Sequence, residues 1–212
     1  MRKNTPYIAP HRSETRASDR VQHLMNTLSG CQPRVYPESF LDIGCGSGEI
    51  TNEIARTLNG QHGCIKNAHG CDMFHVPTHP DNTSDYTYHQ VVNNHIDLPD
   101  HSMDLVTCFM SIHHFDNFQQ MMVEISRILK PTGLLFIREH DVPKSDGRLI
   151  QELNDLHTKF PDHSGPIHYW ARNDLKTELI RLVFAHITDS EYPAHIRNKQ
   201  RIYHSLWRKA SV

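Results

Sequence analysis

The segment Leu41-Asp42-Ile43-Gly44-Cys45-Gly46-Ser47-Gly48-Glu49-Ile50-Thr51 constrains the fold of this chain more than any other. A short apolar run, Phe40, Leu41 and Ile43, meets an acid and three glycines at alternate positions, and a helical pattern follows. That order reads as a strand, a tight turn and a helix start. Glycines there remove side chains where something must approach the backbone closely, so the turn is a ligand seat. The nearest competitor is the dinucleotide fingerprint G-x-G-x-x-G, whose third glycine serves helix–strand packing and whose helix N-terminus receives a pyrophosphate. Here Gly48 comes one place early, and Glu49 stands where that fingerprint wants Gly or Ala. A carboxylate repels a pyrophosphate, whereas Asp42 can accept from an ammonium group. An amino-acid-bearing nucleoside therefore suits the turn better than NAD.

Strand and helix signals alternate along the rest of the chain. Val21, Leu24, Met25 and Leu28 recur at helical spacing before Gly30, so a helix precedes the first strand at 40–43. The polar stretch 7–18 ahead of it is expected to lie across the ligand opening. Ile50, Ile54, Ala55 and Leu58 give a second helix, ended at Asn59-Gly60. Strands are expected at 88–92, 104–110 and 134–138. The stripe Phe118, Met121, Met122, Ile125, Ile128 and Leu129 forms a helix that Lys130-Pro131-Thr132-Gly133 stops. Helices near 148–160 and 174–183 and a hairpin-like pair at 184–191 and 201–207 follow. Alternating strands and helices of these lengths imply a parallel sheet with right-handed crossovers.

A chain of 212 residues supports one sizeable core. We read a single domain, with an N-terminal basic segment and helix over 1–37, a ligand-binding core over 38–141, and substrate-side helices with a C-terminal strand pair over 142–212. No apolar run approaches a membrane span and none resembles a signal segment, so a soluble, cytoplasmic protein is expected. Five cysteines, an odd number with two in or beside the ligand strands, point to reduced thiols. His62, Cys64, His69, Cys71, His75 and His79 are crowded but match no zinc spacing, so no metal is expected. The net charge of -2 hides basic ends: residues 1–36 carry six Lys/Arg against two acids, and 193–212 carry five against none. Those ends could attract an anionic substrate or simply be solvated.

The Asp42–Gly48 motif resembles the first motif of the class I S-adenosylmethionine-dependent methyltransferases, acid-x-Gly-x-Gly-x-Gly. The likeness continues, in that family's order, through Gly70-Cys71-Asp72-Met73, Leu98-Pro99-Asp100-His101-Ser102-Met103-Asp104-Leu105-Val106, Ser111-Ile112-His113-His114-Phe115 and the run from Glu124 to Ile137. It implies a Rossmann-like α/β fold: a seven-stranded, mostly parallel sheet of order 3-2-1-4-5-7-6, strand 7 antiparallel, with helices on both faces. It implies S-adenosyl-L-methionine as cofactor. Gly44, Cys45, Gly46 and Gly48 would meet the methionine part, with Asp42 orienting its amino end. Asp72 would accept the ribose hydroxyls, Met73 would lie on the adenine, and Asn93 or Asn94 would read the adenine amino group. Met110 and Ser111 would line the methionine side.

Methyl transfer from a sulfonium needs an aligned nucleophile, a dry pocket and a way to lose a proton. His113 and His114, at the carboxyl end of a central strand, are the candidates to hold that proton or position the acceptor. Arg138, Glu139, His140 and Asp141 leave the next strand at the same edge and are expected to place at least one side chain against substrate; the alternative is a salt-bridge network holding the following segment, with Asp155 and His157. The acceptor is expected to be a small molecule. The alternative is RNA, at a cap or a base, with Tyr169, Trp170, Tyr203 and Trp207 available for stacking. Two short segments, 137–141 and 198–203, resemble methyltransferases of large DNA viruses and other RNA-capping systems. A third reading is a catalytically inactive cofactor-binding subunit. The protein is expected to be a monomer or homodimer.

Overall fold

The computed structural model describes residues 13–32, 34–62, 65–73, 85–158, 167–191 and 200–210. In chain order the elements are α1 (Ser13–Ser29), β1 (Ser39–Ile43), α2 (Glu49–His62), β2 (Asn67–Asp72), β3 (Thr87–Gln90), β4 (Met103–Phe109), a single 3-10 turn (Ile112–His114), α3 (Phe118–Ile128), β5 (Leu129–His140), α4 (Gly147–His157), α5 (Arg172–Arg181), β6 (Phe184–Glu191) and β7 (Ile202–Lys209). The seven strands form one sheet of order β3-β2-β1-β4-β5-β7-β6. The first five strands pair in parallel, and β7 lies antiparallel between β5 and β6. Order and strand direction are those the resemblance implies.

The two faces of the central strands sort by the period of two. Leu41, Ile43, Val106, Cys108, Leu135 and Ile137 pack with Met121, Met122, Ile125 and Ile128 of α3 and Leu175 and Leu179 of α5. The intervening residues, Phe40, Leu105, Phe109, Leu134, Phe136 and Leu206, pack with Val21, Leu24 and Leu28 of α1 and Ile54, Ala55 and Leu58 of α2. Each such side chain, when fully buried, contributes about 1.5–3 kcal/mol. Helix α3 starts where the Asn117 side chain accepts from Gln120 N, satisfying an end donor. At its other end Lys209 Nζ, from β7, donates to the carbonyls of Ser126 and Leu129 at 2.6 and 3.0 Å, where a cation also suits the helix dipole.

Three local expectations change. Helix α1 begins at Ser13, so the latter part of 7–18 is helical, while 7–12 lies outside the described residues. Helix α2 runs through Asn59-Gly60 to His62, because Gly at the last turns costs only about 1 kcal/mol and nothing crowds Gly60. Strand β5 begins directly after α3 and absorbs Lys130-Pro131-Thr132-Gly133. A register shift against β4 between Met103 and Leu105 lets the proline enter, as a bulge would. No helix among the described residues is long and apolar enough to cross a membrane. The cysteines among them, Cys31, Cys45, Cys71 and Cys108, are unbonded and buried.

Candidate active site

The carboxyl ends of β1 and β4 flank the point where the strand order reverses, the place where open α/β sheets bind ligands. All three glycines of the turn after β1 have left-handed backbones, φ +73° at Gly44, +51° at Gly46 and +81° at Gly48. Their reasons differ. A Cβ on Gly44 would lie 2.5 Å from Ser111 Cβ, and one on Gly48 would overlap the Tyr86 ring; a Cβ on Gly46 would meet nothing within 4 Å. Gly44 and Gly48 are thus needed by the fold, and only Gly46 faces open space. Tyr86 also crowds Gly70 on β2. No sequence pattern marked this tyrosine, because it lies outside every motif and reaches the turn across two strands.

Asp42 is buried, and its two oxygens accept from Thr51 Oγ1 and Thr107 Oγ1, each at 2.7 Å. Thr51 is in the first turns of α2, and Thr107 is the β4 residue in register with Asp42. The acid thus ties helix, turn and sheet together. Burial pushes its carboxyl up to about 6, against the opposing pull of the two hydroxyls. Beside it the Cys45 thiol is raised above its ordinary range by burial and by the Asp42 and Asp72 charges, so it is no nucleophile. Asp72, the last residue of β2, accepts from Gly46 N at 2.9 Å and therefore stands over the open part of the turn. Met73, next along, is exposed, as is Val92 beyond β3. An acid between an open glycine turn and exposed apolar side chains fits a nucleoside: hydroxyls for the acid, a base face for the methionine, close backbone approach at Gly46.

Asn93 and Asn94 both have left-handed φ, and Val92 and His95 exchange both backbone hydrogen bonds around them. That is the demand of a tight hairpin turn, which asparagine meets well. Asn94 Nδ2 donates to Gln120 Oε1 at 3.1 Å, toward α3. Met110, directly after β4, also has positive φ, +60°, a strained conformation for a bulky side chain. The bend it makes sends Ser111 under Gly44 and the 3-10 turn back over the sheet.

The 3-10 turn carries His113 and His114. His113 is buried, its Nδ1 2.8 and 2.9 Å from the Glu139 oxygens, and its Nε2 3.2 Å from His157 Nε2. Burial raises the Glu139 carboxyl, but the neighbouring His113 and His140 and their hydrogen bonds outweigh it and hold the group well below the usual range. His157, the last residue of α4, places its Nδ1 2.8 Å from Leu153 O and 3.2 Å from Tyr169 Oη. His114 is half-buried, its ring centroid 4.2 Å from that of His113. His140 turns its Nδ1 to Gln200 O at 2.8 Å.

The structure therefore brings together His113, His114, Glu139 and His157, with His140 at the margin. It does not bring Arg138 to them: the strand alternation puts Arg138 on the α1 face, where burial and, after it, the Arg138 charge depress the protonation of His23 and His204. Asp141 accepts from Arg172 N and pairs with Arg201, while Asp155 accepts from Gln151 within α4 and lies apart from that pairing. Of the aromatics considered for stacking on bases, Tyr203 and Trp207 are buried and closed to that role. Trp170 packs on Phe118 at 4.7 Å between centroids, and Tyr169 closes on His157. Of the crowded histidines and cysteines over 62–79, Cys64, His75 and His79 lie outside the described residues. His69 pairs instead with His89 of β3 at 2.9 Å.

The model of a family described as a methyltransferase domain matches residues 11–182. Among curated proteins the chain is 23% identical over 125 residues to an uncharacterized methyltransferase, YcgJ, of Bacillus subtilis, covering 58% of this chain and 49% of that one. It is 24% identical over 158 residues to a tRNA N(3)-cytidine methyltransferase of Danio rerio, covering 64% and 44%. The chain thus spans about half the length of the curated relatives it matches. In fold it is similar to the crystal structure of Bacillus subtilis YcgJ, with TM-score 0.64, 16% identity and coverage of 92% and 100%. It is also similar to a SAM-dependent methyltransferase of Thermotoga maritima, a possible histamine N-methyltransferase, with TM-score 0.64, 15% identity and coverage of 93% and 91%. The chain belongs to the methyltransferase domain family and has the fold of the S-adenosylmethionine-dependent class I enzymes.

Proposed function

We propose that the chain binds S-adenosyl-L-methionine over the turn after β1 and transfers its methyl group to a small-molecule acceptor held beside the 3-10 turn. The observation that carries the reading is the open, left-handed Gly46 beneath the Asp72 carboxylate and next to exposed Met73. In this reading Gly44, Cys45, Gly46 and Gly48 offer backbone to the methionine part. Asp42, with both oxygens engaged by threonines, acts mainly by holding that backbone in place. Asp72 takes the ribose hydroxyls, Met73 and the Asn93-Asn94 turn bound the adenine, and Met110 and Ser111 line the way to the methyl.

The acceptor would lie against His113, His114, Glu139 and His140, at the mouth covered by α4. Leu149 and Leu153 of α4 pack on Val142, making that cover apolar inside; a small acceptor held under it would be kept from water. An RNA acceptor keeps the support of the likeness to a tRNA methyltransferase, but loses the stacking aromatics Tyr203 and Trp207. The test is calorimetric titration of S-adenosylmethionine into wild type and Asp72→Ala, then labelled cofactor offered with a metabolite extract, capped RNA and uncapped RNA. Binding that Asp72→Ala weakens, with label entering the extract only, is expected. Label in RNA with a steep salt dependence would replace the acceptor, and absence of cofactor binding would refute the reading.

A further inference from the structure

Around the 3-10 turn, hydrogen bonding fixes one ring nitrogen of His113 and of His157 and turns the other two toward each other. His113 Nδ1 faces the two oxygens of Glu139, which as a carboxylate only accepts, so Nδ1 carries the proton. His157 Nδ1 faces the Leu153 carbonyl, which also only accepts, so it carries the proton too. Each neutral imidazole then has its lone pair on Nε2, and these two atoms face each other at 3.2 Å. Two lone pairs so placed repel unless a cation lies between them, either a proton shared by the two rings or a metal ion, and only a metal ion also engages the third imidazole beside them. His114 completes a group whose ligand atoms all lie within 4.8 Å of one another.

We propose that His113 Nε2, His157 Nε2 and a ring nitrogen of His114 bind a divalent transition-metal ion of the zinc class, with one coordination position open. A tetrahedral ion about 2.0–2.1 Å from each imidazole sets its ligand nitrogens about 3.3 Å apart, close to the observed pair. His114 has to turn inward by roughly 1–2 Å to reach that spacing from the 4.8 Å limit of the group. Imidazole without thiolate selects zinc, copper, nickel or cobalt over magnesium or calcium. The surroundings are those metal-binding histidines require, because each ligating ring donates its other N–H to a carboxylate or a carbonyl. Glu139 does this for His113, and Leu153 for His157. His113 is buried while His114 and His157 are half-buried, so an ion can enter from their side. The three residues match no zinc motif in sequence. Packing of α4 against the 3-10 turn assembles them, where the sequence reading expects no metal.

The test is titration of the chelator-stripped full chain with Co²⁺, followed by visible absorption, and then displacement by Zn²⁺. One ion per chain with the intense bands of low-coordinate cobalt is expected. Affinity falls by at least about tenfold in His157→Gln and His114→Asn, and by about 10–100-fold in Glu139→Gln, which removes only the supporting carboxylate. Thermal melts establish that each variant folds; His114→Asn, at a half-buried site, decides the matter if His157→Gln does not. Absence of saturable binding overturns the proposal, as does unchanged binding in the variants, which would put the ion on other histidines. S-adenosylmethionine titration in parallel keeps the two readings apart: cofactor binding without cobalt binding removes the metal alone.

Discussion

Gly46→Ala separates a glycine kept for the ligand from glycines kept for the fold. At Gly46 the added methyl meets no atom within 4 Å, so the variant bears only the strain of an alanine at φ +51°. That strain is about 1–2 kcal/mol, reduced by about 0.4–1 kcal/mol because alanine also restricts the unfolded chain. The net loss of about 1 kcal/mol lowers the melting temperature by about 2–4 °C for a domain of this size. At Gly44 the same change adds an overlap with Ser111 Cβ at 2.5 Å, bringing about 1–3 kcal/mol of overpacking on top of the strain. Urea unfolding of the two variants should rank Gly44→Ala as the more damaging by at least about 1 kcal/mol. Calorimetry with S-adenosylmethionine should show the opposite weighting for Gly46→Ala: a nearly native stability with affinity lowered by more than about tenfold, or about 1.4 kcal/mol. If Gly46→Ala binds the cofactor as wild type does, the ligand does not lie on that turn and the assignment of the open side is wrong.

Asp42 gives a pH prediction. Its carboxyl, near 6 in the folded chain and about 4 when unfolded, keeps a proton in the native state that the unfolded state releases. The associated stability is full below pH about 4 and is lost as pH rises through about 6, a total of about 3 kcal/mol at 1.36 kcal/mol for each of about two units. Asp42→Asn should flatten the denaturation midpoint between those pH values, and an unchanged slope would reject the assignment. Glu124→Gln strips charge from a side chain that accepts from Ile96 N at 2.8 Å and from two Arg127 nitrogens at 2.9 and 2.7 Å. A loss of about 1–3 kcal/mol in chemical unfolding is expected, and a loss below about 0.5 kcal/mol would mean that this network does not hold the 96–100 loop to α3. Phe136→Ala opens the α1/α2 face of the core and should remove about 3–5 kcal/mol by the same measurement, with a value under about 2 kcal/mol showing that α1 collapses into the space.

Much of the architecture was legible in the residues because it rests on local rules. Hydrophobic period and turn chemistry read β1, the helix after it, α3 and the β6–β7 pair to within a few residues, and family likeness supplied the strand order. Where those rules are weak, the reading slipped. Asn59-Gly60 looks like a helix stop but sits inside α2, and Lys130-Pro131-Thr132-Gly133 looks like a loop but enters β5 through a register shift. In the site, the glycine turn and Asp42 are legible from their spacing, whereas Asp72 is marked by the family likeness. Tyr86, Thr107 and the pairing of His113 with His157 carry no such signal, since their partners are distant in sequence.

Taken alone, then, the amino-acid order determined a βα turn able to seat an amino-acid nucleoside, an α/β pattern, and which ionisable residues end the central strands, because these depend on neighbours a few positions apart. Tertiary structure alone decided that Arg138 turns away while Glu139 turns in, that Tyr203 and Trp207 are buried, and that Gly46 is the glycine left open. It also decided that histidines 44 positions apart meet nitrogen to nitrogen at 3.2 Å. The physical reason is that side-chain direction along a strand is set by which face each neighbouring element covers, and that the strands and helices closing on the site come from distant parts of the chain.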